Sequence, residues 1–199
     1  MKKWISVALA TFCTVSFAEA TILEEMNEYI AKAPNPTSKQ IVICEREANH
    51  IYEDPQQCIK AADMLLEMSK KVTKNSLLRC ELRELSEENC KLSFKDTYQM
   101  TDEEFFSKFI SQSYYNAGII YDKRMAYENG AAMYKKAIEY NPNNGFAYLN
   151  AGIGYYYGRG VVMDKYKAYN HWRIAARQGN KEAHNNLDVL CSKNPSVCK

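Results

Sequence analysis

Residues 147–179 read Ala147-Tyr-Leu-Asn-Ala-Gly152-Ile-Gly154-Tyr155-Tyr-Tyr-Gly158-Arg-Gly160-Val161-Val-Met-Asp164-Lys-Tyr-Lys167-Ala168-Tyr-Asn-His-Trp172-Arg-Ile-Ala175-Ala176-Arg-Gln-Gly179. Ala147 and Ala183, 36 residues apart, bracket the stretch, and that spacing is one helix–turn–helix unit of a solenoid. Gly152 and Gly154 lack side chains that would hold neighbouring backbones apart, so the first helix can approach its partners closely. Gly158 and Gly160 flank one charge where the chain must reverse, and glycine reaches positive φ there without steric cost. Asp164 is placed to accept hydrogen bonds from the first turn of the second helix. Ala168, Trp172, Ala175 and Ala176 recur at helical spacing and define a buried face. Gly179 suits the left-handed residue just past a helix end, and Asn180 can cap the next helix.

This unit resembles the Sel1-like repeat family, from which it differs at Ala151, His171 and Ile174. An upstream register has a period of 34: Tyr114, Ala117, Gly118 and Tyr121 reappear as Tyr148, Ala151, Gly152 and Tyr155. The earlier copy continues through Tyr134, Ala137 and Asn141-Pro142. It is similar to a tetratricopeptide repeat, in which the proline stops the second helix, although Gly130 stands where that family usually has alanine. The resemblances cover residues 111–190 and imply an all-α fold, a right-handed α-α superhelix of stacked helical hairpins.

Twelve of the 15 tyrosines fall between Tyr114 and Tyr169. The tetratricopeptide resemblance puts Tyr114, Tyr121, Tyr134, Tyr148 and Tyr155 at inter-helix packing positions. It puts Gln112, Tyr115, Ile119, Asp122 and Lys123 of one repeat, and Phe146, Leu149, Ile153, Tyr156 and Tyr157 of the next, on the wall of a concave groove. Apolar surface of this kind is costly to leave in water, and tyrosine is enriched where proteins meet. The competing occupant of the groove is the chain's own segment Thr21 to Ala33, whose Ile22, Leu23, Met26, Tyr29 and Ile30 form an apolar stripe.

The chain opens with Lys2 and Lys3, an apolar run from Trp4 to Phe17 and Ala18-Glu19-Ala20, the pattern of a secretory signal peptide over residues 1–20, cleaved before Thr21. The run is shorter than the roughly 20 residues a membrane span needs. The expected location is therefore the periplasm, with secretion beyond it as the variant. The expected division is a disulfide-stapled helical part over 21–100 and the repeats, with a C-terminal capping helix, over 101–199.

Six cysteines follow the leader, at 44, 58, 80, 90, 191 and 198, and an even count behind an export signal favours disulfides. Cys191 and Cys198, with Pro195 between them, are expected to lock the C-terminal helix end. Helices are expected near 38–53, 55–72 and 75–92, with Pro34 and Pro36 in a connection. A hairpin turning at Lys74 would bring Cys58 level with Cys90, and Cys44 and Cys80 lie near the same end of their helices, so 58–90 and 44–80 are the expected pairs. Cys80 with Cys90 on one unbroken helix would be about 15 Å apart, too far for a bond.

Without Lys2, Lys3 and Glu19 the chain holds 24 basic and 23 acidic residues, a net charge of +1, which gives no nucleic-acid footprint. Residues 21–100 carry 11 basic and 14 acidic side chains, and 101–199 carry 13 and 9. The three histidines, His50, His171 and His184, form no H-E-x-x-H, no cysteine pair has zinc-ribbon spacing, and no P-loop, dinucleotide or G-x-S-x-G motif occurs. Neither a cofactor nor a metal is expected, and no catalytic residue can be named. The expected function is a non-enzymatic periplasmic adaptor that binds a protein or peptide of the cell envelope in its groove, as an accessory of an envelope or secretion machine. An immunity protein that masks a periplasmic toxin, and a hydrolase of cell-wall or β-lactam compounds, are the alternatives. The sequence leaves the oligomeric state open.

Overall fold

The structure, a computed structural model, describes residues 36–49, 54–72 and 102–199. Every regular element among the described residues is helical: α1 (Pro36–Asn49), α2 (Pro55–Val72), α3 (Asp102–Lys123), α4 (Tyr127–Tyr140), α5 (Gly145–Tyr157), α6 (Lys165–Arg177), α7 (Lys181–Lys193) and a closing 3-10 turn (Pro195–Cys198). Each helix packs on the next in sequence, and α1 also reaches α3. No helix among them is long and apolar enough to cross a membrane. The leader, the segment Thr21 to Ala33, His50, Cys80, Cys90 and the helix expected near 75–92 lie outside the described residues.

α1 and α2 correct two expectations. Pro36 opens α1 instead of lying in a connection, a position where its missing N–H removes no helical hydrogen bond. Cys44 and Cys58 are bonded to each other, with Cα atoms 4.5 Å apart, in place of the expected 44–80 and 58–90 pairs. The reason is register: Cys44 lies in the second half of α1 and Cys58 in the first turn of α2, and the packing of these two helices on each other brings the cysteines level. Both sulfurs are buried with Ala61, Ala117 and Ile120, which makes the bond part of the contact with α3.

A second core joins α2, α3 and α4 through Ala62, Leu65, Phe106, Ile110, Tyr114 and Ala137, and includes Ala147 of α5. Ser111, fully buried in α3, ties three helices by polar bonds. Its hydroxyl donates to the Ala137 carbonyl at 2.7 Å and accepts from the Asn144 side-chain amide at 2.9 Å. Asn144 in turn caps α5, accepting from the Ala147 N–H at 3.0 Å. Buried polar groups left without partners are costly, so this relay fixes where α5 sits against α3.

The third core holds the α5–α6 hairpin and α7 together through Leu149, Ala168, Trp172, Ala175, Ala183 and Leu190. A Cβ on Gly152 would come within 2.5 Å of the Trp172 ring, so glycine is what lets the indole approach α5 this closely. The indole N–H donates to the Leu149 carbonyl at 3.1 Å. Gly158 and Gly160 take the expected left-handed φ, 68° and 69°. Asp164 caps α6 by accepting from the Lys167 N–H at 3.0 Å, and Asn180 caps α7 by accepting from the Ala183 N–H at 3.0 Å. The expected Cys191–Cys198 bond is present, with Cα atoms 5.6 Å apart, and it folds the last turn back so that Val197 is buried in the third core.

Candidate functional site

The ten residues expected on a groove wall divide into exposed, half-buried and core positions. Tyr115 of α3 lies between two rings, Tyr134 of α4 and Phe146 of α5, each with centroids 6.1 Å away. Phe146 is 54 % exposed, so the pair presents one half-buried ring on α3 and one open ring on α5. Burial pushes the Tyr115 phenol up to about 12, with the Asn150 side chain acting in the opposite direction. Tyr157 is exposed at the end of α5, set edge-on to Tyr156, with the Arg159 guanidinium 4.9 Å from its ring centroid.

Leu149 departs from the expectation. It is only 5 % exposed and belongs to the core against α6, so it cannot line an open groove. Tyr156 is half-buried, with its ring 5.4 Å from Trp172. Gln112 is spent within its own helix, donating to Asn116 at 2.9 Å, and Lys123 reaches back to the Ala48 carbonyl of α1 at 3.2 Å. Ile119 is half-buried. Of the tyrosines expected at packing positions, Tyr114 and Tyr134 are buried, and Tyr121, Tyr148 and Tyr155 are half-buried.

Asp122 and Ile153 line a cleft of about 500 Å³ along the seam between α4 and α5, a size that suits a small ligand or a few side chains of a partner. Ala131, Ala132 and Ile138 come from α4; Arg159, Gly160 and Val161 come from the turn after α5; His171 comes from α6. The Tyr134 hydroxyl donates to the Asp122 carboxylate at 2.9 Å. Burial raises the Asp122 pKa, and the Tyr134 hydrogen bond and the Arg159 charge pull it back. Gly130 explains its own departure from alanine here, because a Cβ would collide with the Asp122 carboxylate.

His171 is half-buried beside the rings of Tyr148 and Tyr155, at 5.6 and 5.0 Å, and burial lowers its pKa. Its Nδ1 lies 2.8 Å from the Lys167 carbonyl, which can only accept, so Nδ1 carries a proton there. His184 is exposed on α7. Among the described residues no cluster of three or more histidine, cysteine or acidic side chains could hold a metal ion.

Sequence reasoning missed Ser111 and Asn144, which position the face, and Asn150, whose amide acts on both the Tyr115 and Tyr134 phenols. A signal existed for Asn144, since an asparagine directly before a helix is a good cap. None existed for Ser111, whose partners lie 26 and 33 residues away.

Among the described residues, fold and site together define an all-helical arrangement of sequentially packed helices, braced by disulfides, with an aromatic face across α3 and α5 and a cleft along α4 and α5. No protein-family model, no curated protein and no solved structure matches the chain.

Proposed function

We propose that this chain is an exported, non-enzymatic adaptor, and that its hairpins stack as Sel1-like and tetratricopeptide-like repeats into a right-handed superhelix. The groove of that superhelix takes a protein or peptide of the cell envelope, in the service of an envelope or secretion machine. The observation that carries this reading is the Tyr115–Phe146 pair. Two rings from the first helices of successive hairpins meet at 6.1 Å, and the outer one is left open to solvent. A large ring on rigid helices is the kind of anchor that dominates protein interfaces.

Two disulfides support an oxidising compartment, in keeping with the leader-like residues 1–20. The test is a crosslinking pull-down from envelope fractions with the wild-type chain and with Phe146→Asp, a change at an exposed position that leaves the cores intact. The variant should lose the partner that the wild type retains. Equal capture by both proteins would overturn the groove assignment.

A further inference from the structure

Five of the large apolar side chains most exposed in the described structure, Met125, Tyr157, Val162, Met163 and Tyr166, cluster around two chain reversals. One reversal joins α3 to α4 and the other joins α5 to α6. The two abut: Gly160 lies so close to the Tyr127 backbone that a Cβ there would overlap it, and the Arg159 guanidinium sits 5.4 Å from the Tyr127 ring centroid. The edge they form is also cationic. Lys123, Arg124, Arg159, Lys165 and Lys167 stand on it against Asp122, Glu128 and Asp164, with the Lys123 ammonium donating to the Ala48 carbonyl and the Lys165 ammonium to the Asn194 side chain. Asp122 already accepts from Tyr134, and Asp164 caps α6 and lies 3.8 Å from Lys167.

We propose that this edge is a peripheral membrane-binding surface that seats its apolar tips in the interface of an anionic lipid bilayer. Exposed side chains on two adjoining turns suit a plane better than they suit a pocket. Val162, 87 % exposed, and Met163 lie in the longer turn, with exposed tyrosines at 157 and 166 on the two helices it joins and cations at 159, 165 and 167 in the same stretch. That combination of aliphatic, aromatic and basic side chains on one edge matches the acyl chain, interface and headgroup of a bilayer. The turn is preorganised for it. The Asp164 N–H donates to the Tyr155 carbonyl and the Arg159 N–H to the Gly154 carbonyl, both at 2.9 Å, so little ordering remains to be done on contact.

Met125 is an independent sign. It holds φ at 58° in the turn after α3, a left-handed position where glycine is favoured, and turns a long apolar side chain 74 % out into water. Backbone strain kept at an exposed apolar residue points to use of that side chain.

The test is sedimentation of the full chain with vesicles of phosphatidylcholine containing one third phosphatidylglycerol, compared with phosphatidylcholine alone. Each Lys or Arg near an anionic surface strengthens binding about fivefold, so the anionic vesicles should retain the protein strongly and the neutral ones weakly. Retention should fall as salt is raised from about 0.05 to about 0.5 M and the charges are screened. Val162→Asp with Met163→Asp should cut it at least tenfold. Met125→Gly, which relieves the left-handed backbone and so keeps the fold, should weaken binding severalfold while leaving or raising the melting temperature.

Peroxide oxidation read by mass gives the site directly, since Met125 and Met163 should be protected only on anionic vesicles. Vesicle binding that leaves both methionines open to oxidation, or that survives in the double variant, would place the contact elsewhere and overturn the proposal. Capture of an acidic protein by this edge without vesicle binding would overturn it equally.

Discussion

The Tyr134 hydroxyl donates to the Asp122 carboxylate at 2.9 Å, and that carboxylate occupies the space a Gly130 side chain would need. Three residues on two helices are therefore one unit, and their substitutions should not add. Gly130→Ala displaces the carboxylate and loses a hydrogen bond to a charged group, about 1.5–3 kcal/mol, against about 1 kcal/mol gained in helix propensity. Net destabilisation is expected. In an Asp122→Ala background the same substitution should change sign and stabilise by up to about 1 kcal/mol. Denaturant unfolding of the two singles and the double decides it, and a Gly130→Ala effect of the same sign in both backgrounds would contradict the geometry.

Gly152 offers no such relief. The Cβ of Gly152→Ala would press on the Trp172 ring, which is held by its hydrogen bond to Leu149 and by the core around it. Overpacking of this sort costs about 1–3 kcal/mol, more than the helix-propensity gain. The melting temperature should fall and the Trp172 emission should shift to the red.

Mass mapping of unreduced peptides should recover Cys44 linked to Cys58 and Cys191 linked to Cys198. Replacing both Cys44 and Cys58 by alanine should cost roughly 3 kcal/mol, the loop-closure value for about 15 residues. A 44–80 or 58–90 peptide would contradict the packing of α1 on α2.

Glu45 sets a pH dependence. It is buried beside the first disulfide, and burial raises its carboxyl from 4.5 to about 7 in the folded chain. The folded state therefore binds more protons than the unfolded state between those values. The contribution of Glu45 to stability is complete below 4.5 and falls as pH rises to 7, by about 3 kcal/mol in total. Glu45→Gln should flatten that part of the stability curve and raise stability at pH 8. An unchanged slope would show that another group is responsible.

Local chemistry made much of the fold legible. Gly158, Gly160, Asp164, Gly179 and Asn180 each announce a turn or a cap through their own backbone or side-chain properties, and each stands where those properties require. The Cys191–Cys198 bond is similarly local. The Cys44–Cys58 bond is less legible, because a hairpin turned at Lys74 favours 58–90 and 44–80 over pairing of sequence neighbours, and only the packing of α1 on α2 decides for the neighbours. Leu149 differs from the expectation for another reason. Helical periodicity says which residues share a face and not which neighbour covers it, and here Trp172 does. The same limit makes Tyr115 and Tyr156 poor probes of the groove, because truncating either would disturb packing, whereas Phe146 is open.

That difference defines the decisive measurement. A photo-crosslinking phenylalanine analogue at position 146, compared with the same analogue at the exposed Val189 of α7, reads out the face directly in cells. The account predicts a discrete protein adduct at 146 that is absent at 189. Adducts at 189 with none at 146 would contradict it.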